Sequence, residues 1–420
     1  MSRQPVAQQH RPHLIVVGSG ARAYREYSFA ALASRYQVAA VLGSQPSWQR
    51  RYLHNCRVAP LDNADAVAAA VSELTGGDPA QAGLMTWDET ALEITAAAAQ
   101  KLGMRHMSPT AASHCRDKYT TRSLLAEAGV PSARYRLVHS TEEALEASAE
   151  FGYPVVVKPR ALAGSVGVTF AESATAIRDA LALARQARFA TLPTGGGILV
   201  EEYLDGPEIS VDSVVFDSAV TCVQVTHKRL GFAPYFEEIG HLVTQWSDAS
   251  WASGAVALVT QAHQALGVEW GVTHTELRLT SSGPRMIELN GRLGGDFIPL
   301  IGALSTGIDL VLAAADLALG VPPDLTPHRA ETAEVRFLYP RHDGVLQSLD
   351  IQAAAYAPSV ERVVPLAEPG ALLRLPPRMP LPRIAAVIVT GPDASSCARS
   401  LDQAMTQVIW ELDSDLVGAR

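Results

Sequence analysis

Between residues 13 and 102, short apolar runs alternate with stretches of helical periodicity, and this constrains the fold more than any other feature of the chain. The runs 13–17, 37–42 and 83–87 read as strands, and 24–35, 64–74 and 91–102 as helices. Parallel strands need crossover connections, so the alternation predicts a parallel, Rossmann-like α/β domain ending near residue 110. Gly18, Gly20 and Ala23 follow the first strand as a dinucleotide-binding turn would. The second strand, however, ends in Leu42, Gly43 and Ser44, where the acid that grips a ribose would stand. A plain glycine turn or a small-substrate contact is therefore expected there, in preference to bound NAD or FAD.

The whole chain, 420 residues, is too long for one core: at about 150 residues per domain it predicts two to four lobes. The middle is α+β. A helix over 113–128 closes at Gly129 and Pro131, and Ser140 with Glu143 forms a capping box for the next helix. A β-branched strand ending in Lys158 runs into a glycine-containing loop, 162–168, followed by a helix over 174–188 and a strand over 198–203. Two hairpins, 208–226 and 272–290, flank a helix over 252–266. The last ninety residues, with strands at 333–338 and 383–390 and a helix at 396–412, read as a separate α+β lobe. The resulting divisions are 1–110, 111–205, 206–325 and 326–420.

Charge and cysteine usage narrow the partners. A net charge of -9 disfavours a surface for nucleic acid or anionic lipid, so small molecules are the expected partners. Cys56, Cys115, Cys222 and Cys397 form no C-x-x-C pair. The polar start lacks an apolar leader, and the most apolar later stretch, 308–321, is broken by Asp309 and Asp316; a soluble, cytoplasmic protein is expected. Of 34 basic residues only Lys101, Lys118, Lys158 and Lys228 are lysine, so a lysine carries information here.

The strongest chemical signal lies in the second hairpin. With the turn at Ser281, Ser282 and Gly283, Glu276 falls opposite Glu288 and His274 opposite Asn290. Side chains alternate along a strand, so Glu276, Arg278, Glu288 and Asn290 share one face, and Leu277, Leu279, Ile287 and Leu289 the other. Like charges directly opposite destabilise a sheet unless neutralised, and a hard divalent cation bound by carboxylate and amide oxygens would do so. The competing reading is a solvated polar face with Arg278 as counter-ion. Arg292, Gly294, Gly295 and Asp296 extend the same face and favour a site.

A magnesium held by few protein ligands usually also binds substrate phosphates. Lys158, immediately before a loop containing Gly164, Ser165 and Gly167 whose amides would cover phosphate oxygens, supplies the rest. The chain has no G-x-x-x-x-G-K-[ST] loop and no kinase signature, so a third nucleotide-binding fold is needed.

These residues resemble the ATP-grasp superfamily of carboxylate-amine ligases, closely over 111–310. The resemblance implies a Rossmann-like pre-ATP-grasp domain over 1–110, a small lobe over 111–205, a large lobe with the metal site over 206–325 and an extra C-terminal α+β lobe over 326–420. It gives adenine recognition to the backbone around Glu201, Glu202 and Leu204, ribose binding to Glu208, and phosphate binding to Lys118 and Lys158. Glu276, Glu288 and Asn290 match the magnesium or manganese ligands, and Arg292 the arginine that holds the substrate carboxylate or its phosphorylated form. The segments 236–241 and 290–298 look most like L-amino acid ligases, which make dipeptides or related amides. Those proteins often carry a proline after the Gly-His pair. Here Val243 follows, so His241 is either catalytic or a buried hydrogen-bonding residue.

The expected reaction is ATP-dependent joining of a carboxylate to an amine through an acyl phosphate, with Arg292 steadying the oxyanion. Asp88 and Glu89 follow the third strand, where they would either hold a substrate ammonium or cap the next helix. Gly295 and Asp296 are further substrate-binding candidates. A homodimer is the assembly implied by the resemblance. Competing readings are a biotin-carboxylase-like or purine-pathway enzyme activating bicarbonate or formate, and a nucleotide-binding sensor without turnover.

Overall fold

A computed structural model describes residues 11–189, 192 and 194–414. Residues 1–10, on which part of the argument against a leader rests, lie outside the described residues. Among the described residues no single helix is long and apolar enough to cross a membrane. The chain divides into two compact units. One runs to Pro109 and includes Val311–Pro323; the other holds Thr110–Leu310 and the rest of the chain from Asp324.

The first unit carries the expected parallel sheet, in the order Asn55–Val58, Gln37–Leu42, His13–Val17, Ala82–Met85. The inner strands are buried on both faces, which is why they read as unbroken apolar runs. Asn55–Val58 escaped the sequence reading because it is a short edge strand with no buried face. Asn63 caps the helix Ala64–Leu74 by accepting from the Ala66 amide. Gly83 admits the neighbouring helix closely: an added Cβ would stand 3.0 Å from Ala318.

The second unit contains three antiparallel sheets. A four-stranded sheet orders Tyr135–Val138, Ile198–Glu202, Val155–Pro159 and Thr169–Ala171, and the helices Thr141–Phe151 and Ala174–Gln186 pack against it. The capping box is present: Ser140 accepts from the Glu143 amide, and Glu143 accepts from the amide of His139. An eight-stranded sheet orders Gly283–Asn290, Gly271–Thr280, Glu208–Phe216, Ala219–Gly231, Glu237–Val243, Thr332–Leu338, Ala385–Gly391 and Val360–Pro365. Three strands of the C-terminal region thus continue the sheet that carries the acid-bearing hairpin. Leu372–Leu373, Gly344–Ile351 and Val408–Asp413 form the third sheet.

Two helix expectations are corrected. The stretch 113–128 is two helices, Pro109–Arg116 and Lys118–Glu127, because Asp117 accepts from the Tyr119 and Thr120 amides and starts a new helix. The helix expected over 396–412 ends at Met405, and Val408–Asp413 is a strand. The run Val408, Ile409, Trp410 is β-branched and aromatic, and its pairing with Gly344–Ile351 overrides the helical pattern before it.

Candidate active site

The hairpin pairs Glu276 with Glu288 and His274 with Asn290, as the spacing predicts, but reaches that register by another route. Thr280 pairs with Gly283, leaving a two-residue turn of Ser281 and Ser282. The register then slips between Glu276 and Leu277, where Ile287 has no partner of its own. The residue removed from the turn reappears as a β-bulge, so the acids still meet. The bulge corrects one face assignment. Met286 is in the core, at 0% exposure, and Ile287 instead lines the cleft beside Glu288.

That cleft lies between the four-stranded sheet and the hairpin. Lys118, Lys158, Gly164, Ser165, Glu201, Glu202, Leu204 and Glu208 all line it, together with Glu276 and Glu288. Gly167 does not. Its φ is +77°, and an added Cβ would approach Ala187 to 2.7 Å, so it shapes the loop from behind. A continuation of the cleft, also walled by Glu276 and Glu288, holds Asn290, Arg292, Gly295 and Asp296.

Glu201, Glu208, Glu276 and Glu288 each have a cationic partner, whereas Glu237, in the continuation, accepts from the Tyr339 hydroxyl. Lys118 donates to Glu288 at 2.9 Å and to the carbonyl of Leu162 at 2.6 Å. Lys158 lies 2.7 Å from Glu201, which Arg122 also contacts at 2.9 Å. Burial pushes the Lys158 ammonium down to about 8 against the pull of Glu201, with Arg122 and Lys118 adding repulsion. Glu201, although buried, is held below the usual carboxylate range by Arg122 and Lys158.

Lys228, which the sequence reading did not place, is the hub. Its ammonium lies 2.9 Å from Glu276, 2.9 Å from Glu238 and 3.2 Å from Glu208. Burial works against its charge, but the three carboxylates hold its pKa well above the ordinary lysine value. Glu276 is held low in turn: burial alone would raise it, and Lys228 and His274 overcome that. The facing acids are therefore neutralised by two lysines, Lys228 on Glu276 and Lys118 on Glu288. Arg278 serves Glu208 at 2.9 Å and donates to the Gly206 carbonyl.

This set fits a divalent cation. Glu276, Glu288 and Asn290 present hard oxygen ligands to one cleft, and Lys118 is a single-point donor that a phosphate can draw away from Glu288. Behind Glu276, His274 Nδ1 is 2.9 Å from the buried carboxylate of Asp212, and its Nε2 is 3.5 Å from Glu276. Burial opposes the charged imidazole, but Asp212 and Glu276 push it up to about 9.

Glu238, His241 and Asp296 form a second cluster whose ligand atoms lie within 4.8 Å of one another. Arg383 reaches Asp296 at 2.6 Å and Lys228 reaches Glu238 at 2.9 Å, so its charge is already met by the protein. Asp296 is held far below the usual carboxylate range: burial opposes this and Arg383 overrides it. His241 is fully buried and lines neither part of the cleft; its Nε2 lies 3.3 Å from Glu238 and 3.5 Å from Asp296. Both ring nitrogens are buried without a hydrogen-bond partner among the described residues, so the burial expected in the second alternative is present and its hydrogen bonds are not.

Asp88 and Glu89 lie in the first unit. Asp88 accepts from the amide and hydroxyl of Thr90 and packs against Gly18, whose φ is +75°; the next helix, Leu92–Leu102, begins at Ala91 with no side-chain cap, so the capping expected of Asp88 and Glu89 is not made. Lys228, Arg122, Asp212, His274 and Arg383 were missed as site residues. The lysine had a usable signal, since three of the four lysines in the chain are buried in this one site.

Comparison with known proteins finds similar sequences and folds. Residues 151–300 match the ATP-grasp domain, and residues 336–413 match L-amino acid ligase C-terminal domain 2. An uncharacterized protein of Sinorhizobium fredii, y4rH, is 32% identical over 328 residues; the match covers 73% of this chain, and the chain spans 64% of that relative's length. The alanine–anticapsin ligase of Bacillus subtilis is 25% identical over 430 residues, covering 92% of this chain and 89% of the relative. The crystal structure of an L-amino acid ligase from Bacillus licheniformis superposes with a TM-score of 0.79 at 22% identity, covering 97% of this chain and 100% of that one. The chain thus carries an ATP-grasp domain and an L-amino acid ligase C-terminal domain, and it is similar to carboxylate-amine ligases, L-amino acid ligases among them.

Proposed function

We propose that this protein joins the carboxylate of an amino acid to an amine in an ATP-dependent reaction, through an acyl phosphate, giving a dipeptide or related amide with ADP and phosphate. The observation that carries the reading is the single cleft in which Lys118, Lys158 and the facing pair Glu276 and Glu288 meet. ATP would lie along Glu201, Glu202 and Leu204, with its ribose toward Glu208 and its phosphates on Lys118 and Lys158. Magnesium or manganese held by Glu276, Glu288 and Asn290 would supply charge neutralisation at the terminal phosphate.

The residues present perform the remaining tasks. Lys118 leaves Glu288 for phosphate oxygens, and the freed carboxylate is then available as a ligand. Lys158 stays charged below about pH 8 and draws electron density from the phosphoryl group being transferred. Gly164 and Ser165 line both parts of the cleft and cover the reacting phosphate, which excludes water from the acyl phosphate. Arg292 steadies the oxyanion formed when the amine attacks, and no protein nucleophile is needed. Support for an amino-acid substrate comes from the named relatives and the C-terminal match; bicarbonate activation draws on neither.

Incubation with ATP, magnesium and pairs of amino acids tests the reading. Phosphate release that requires both partners, together with an amide product detected by mass spectrometry, is expected. Phosphate release driven by bicarbonate without an amine would replace it with the carboxylase reading.

A further inference from the structure

The C-terminal region contributes to the second part of the cleft through a segment with no role so far. Residues 374–384 form a proline-rich strap, and Leu381 of this strap lines the cleft with Arg292, Asp296, Glu238 and Ile298. Both ends are anchored. Asp343 accepts from the Leu375 amide at 2.9 Å and from Arg378 at 2.8 Å. At the other end Arg383, only 2% exposed, donates to Asp296 at 2.6 Å, to the Glu238 carbonyl at 2.8 Å and to the Tyr339 hydroxyl at 2.9 Å. Its guanidinium also stacks 3.7 Å from the Phe337 ring centroid.

The backbone is strained on both sides of this clamp. Leu381 has φ +51°, and Asp296 and Phe297 have φ +49° and +66°. Such conformations are unfavourable for a residue with a side chain and persist only where the surroundings enforce them. The Arg383 amide donates to the Leu381 carbonyl at 2.7 Å, so the clamp itself fixes the direction of the leucine. A branched apolar side chain is thus held facing a wall that otherwise offers an arginine at one end and carboxylates at the other.

We infer that the strap is the specificity element for the amino-acid substrate: Leu381 sets the size of side chain admitted, and Arg383 positions it by locking the strap to Asp296. An α-amino acid matches this wall at two points, its carboxylate toward Arg292 and its side chain against Leu381 and Ile298. The inference rests on the ligase reading above and adds a function for the C-terminal region. A strap contributed by a region distinct from the nucleotide cleft can vary without disturbing ATP, because Leu381 lines only the second part.

The test compares wild type with Leu381→Ala and Leu381→Phe on small and bulky amino acids, using amide formation and, independently, calorimetric binding in the presence of ADP. Leu381→Ala should shift the ratio of kcat/KM for phenylalanine over alanine upward by about tenfold, and Leu381→Phe should shift it the opposite way. ADP binding alone should be unchanged in both, which reports a folded nucleotide cleft. Amides formed with an unaltered preference in both variants would overturn the strap assignment and leave the ligase reading standing. Failure of every amino acid to bind or react with wild type would overturn both.

Discussion

Two acids of the cleft, Glu288 and Asp296, are neutralised by different means, although arginines also serve Glu201 and Glu208 and a lysine serves Glu238. At the nucleotide end Glu288, Glu276 and Glu201 meet lysines, compact ammonium charges on flexible stems. At the strap end Asp296 meets Arg383, whose planar guanidinium is fixed at the same time by Tyr339, the Glu238 carbonyl and the Phe337 ring. An ammonium can exchange one anion for another at small geometric cost, whereas a guanidinium with several simultaneous bonds cannot. The nucleotide end is built for partners that come and go, and the strap end for one arrangement that stays.

The contrast predicts unequal effects. Glu288→Gln should lower turnover about a thousandfold or more, since it removes an oxygen ligand acting on the transferred phosphate. Circular dichroism should be unchanged, and full activity would remove the metal assignment. Lys118→Met should weaken ADP binding about a hundredfold, equivalent to about 2.7 kcal/mol, with a smaller effect on stability because Lys118 bonds only Glu288 and the Leu162 carbonyl, whereas Arg383 holds Asp296, Tyr339, the Glu238 carbonyl and the Phe337 ring. Arg383→Met should do the reverse: breaking a buried pair costs about 3–5 kcal/mol, read as a lower Tm, with little change in ADP affinity. Equal stability losses in the two variants would erase the distinction between the ends.

A pH series sharpens the comparison. Lys158 is lowered from 10.5 to about 8, so ADP affinity should fall above pH 8, by at most about tenfold per unit. Stability moves with the opposite sign. The unfolded chain keeps this proton up to about 10.5 and the folded chain releases it from about 8, so between those values this group makes folding more favourable as pH rises. The smallest effect is expected from Asp402→Ala on the surface of the C-terminal region. Its pair with Arg336 at 2.6 Å leaves Asp402 71% exposed, and such pairs contribute about 1 kcal/mol or less.

How much the sequence reveals follows the same division. The hairpin was legible because alternation and a serine–glycine turn fix which residues share a face, and the bulge at Ile287 compensated for the shorter turn. The inner strands of the first sheet were legible as buried apolar runs. Lys118 and Arg122 share the helix Lys118–Glu127, but Lys158 and Lys228 reach the same cleft from two other elements, and spacing along the chain carries no information on such meetings. The strap is still less legible. Proline-rich residues 374–384 have no periodicity, and the position of Leu381 depends on a clamp between Arg383 and an acid 87 residues earlier.

The central claim is that facing carboxylates and two cleft lysines serve transfer of the terminal phosphate of ATP to a substrate carboxylate. It is tested most directly by positional isotope transfer: an amino acid labelled with oxygen-18 in its carboxylate is incubated with ATP, magnesium and an amine acceptor. Appearance of one labelled oxygen in the released phosphate, alongside ADP and the amide, is the predicted result. Unlabelled phosphate with amide formation, or AMP and pyrophosphate as products, would contradict it.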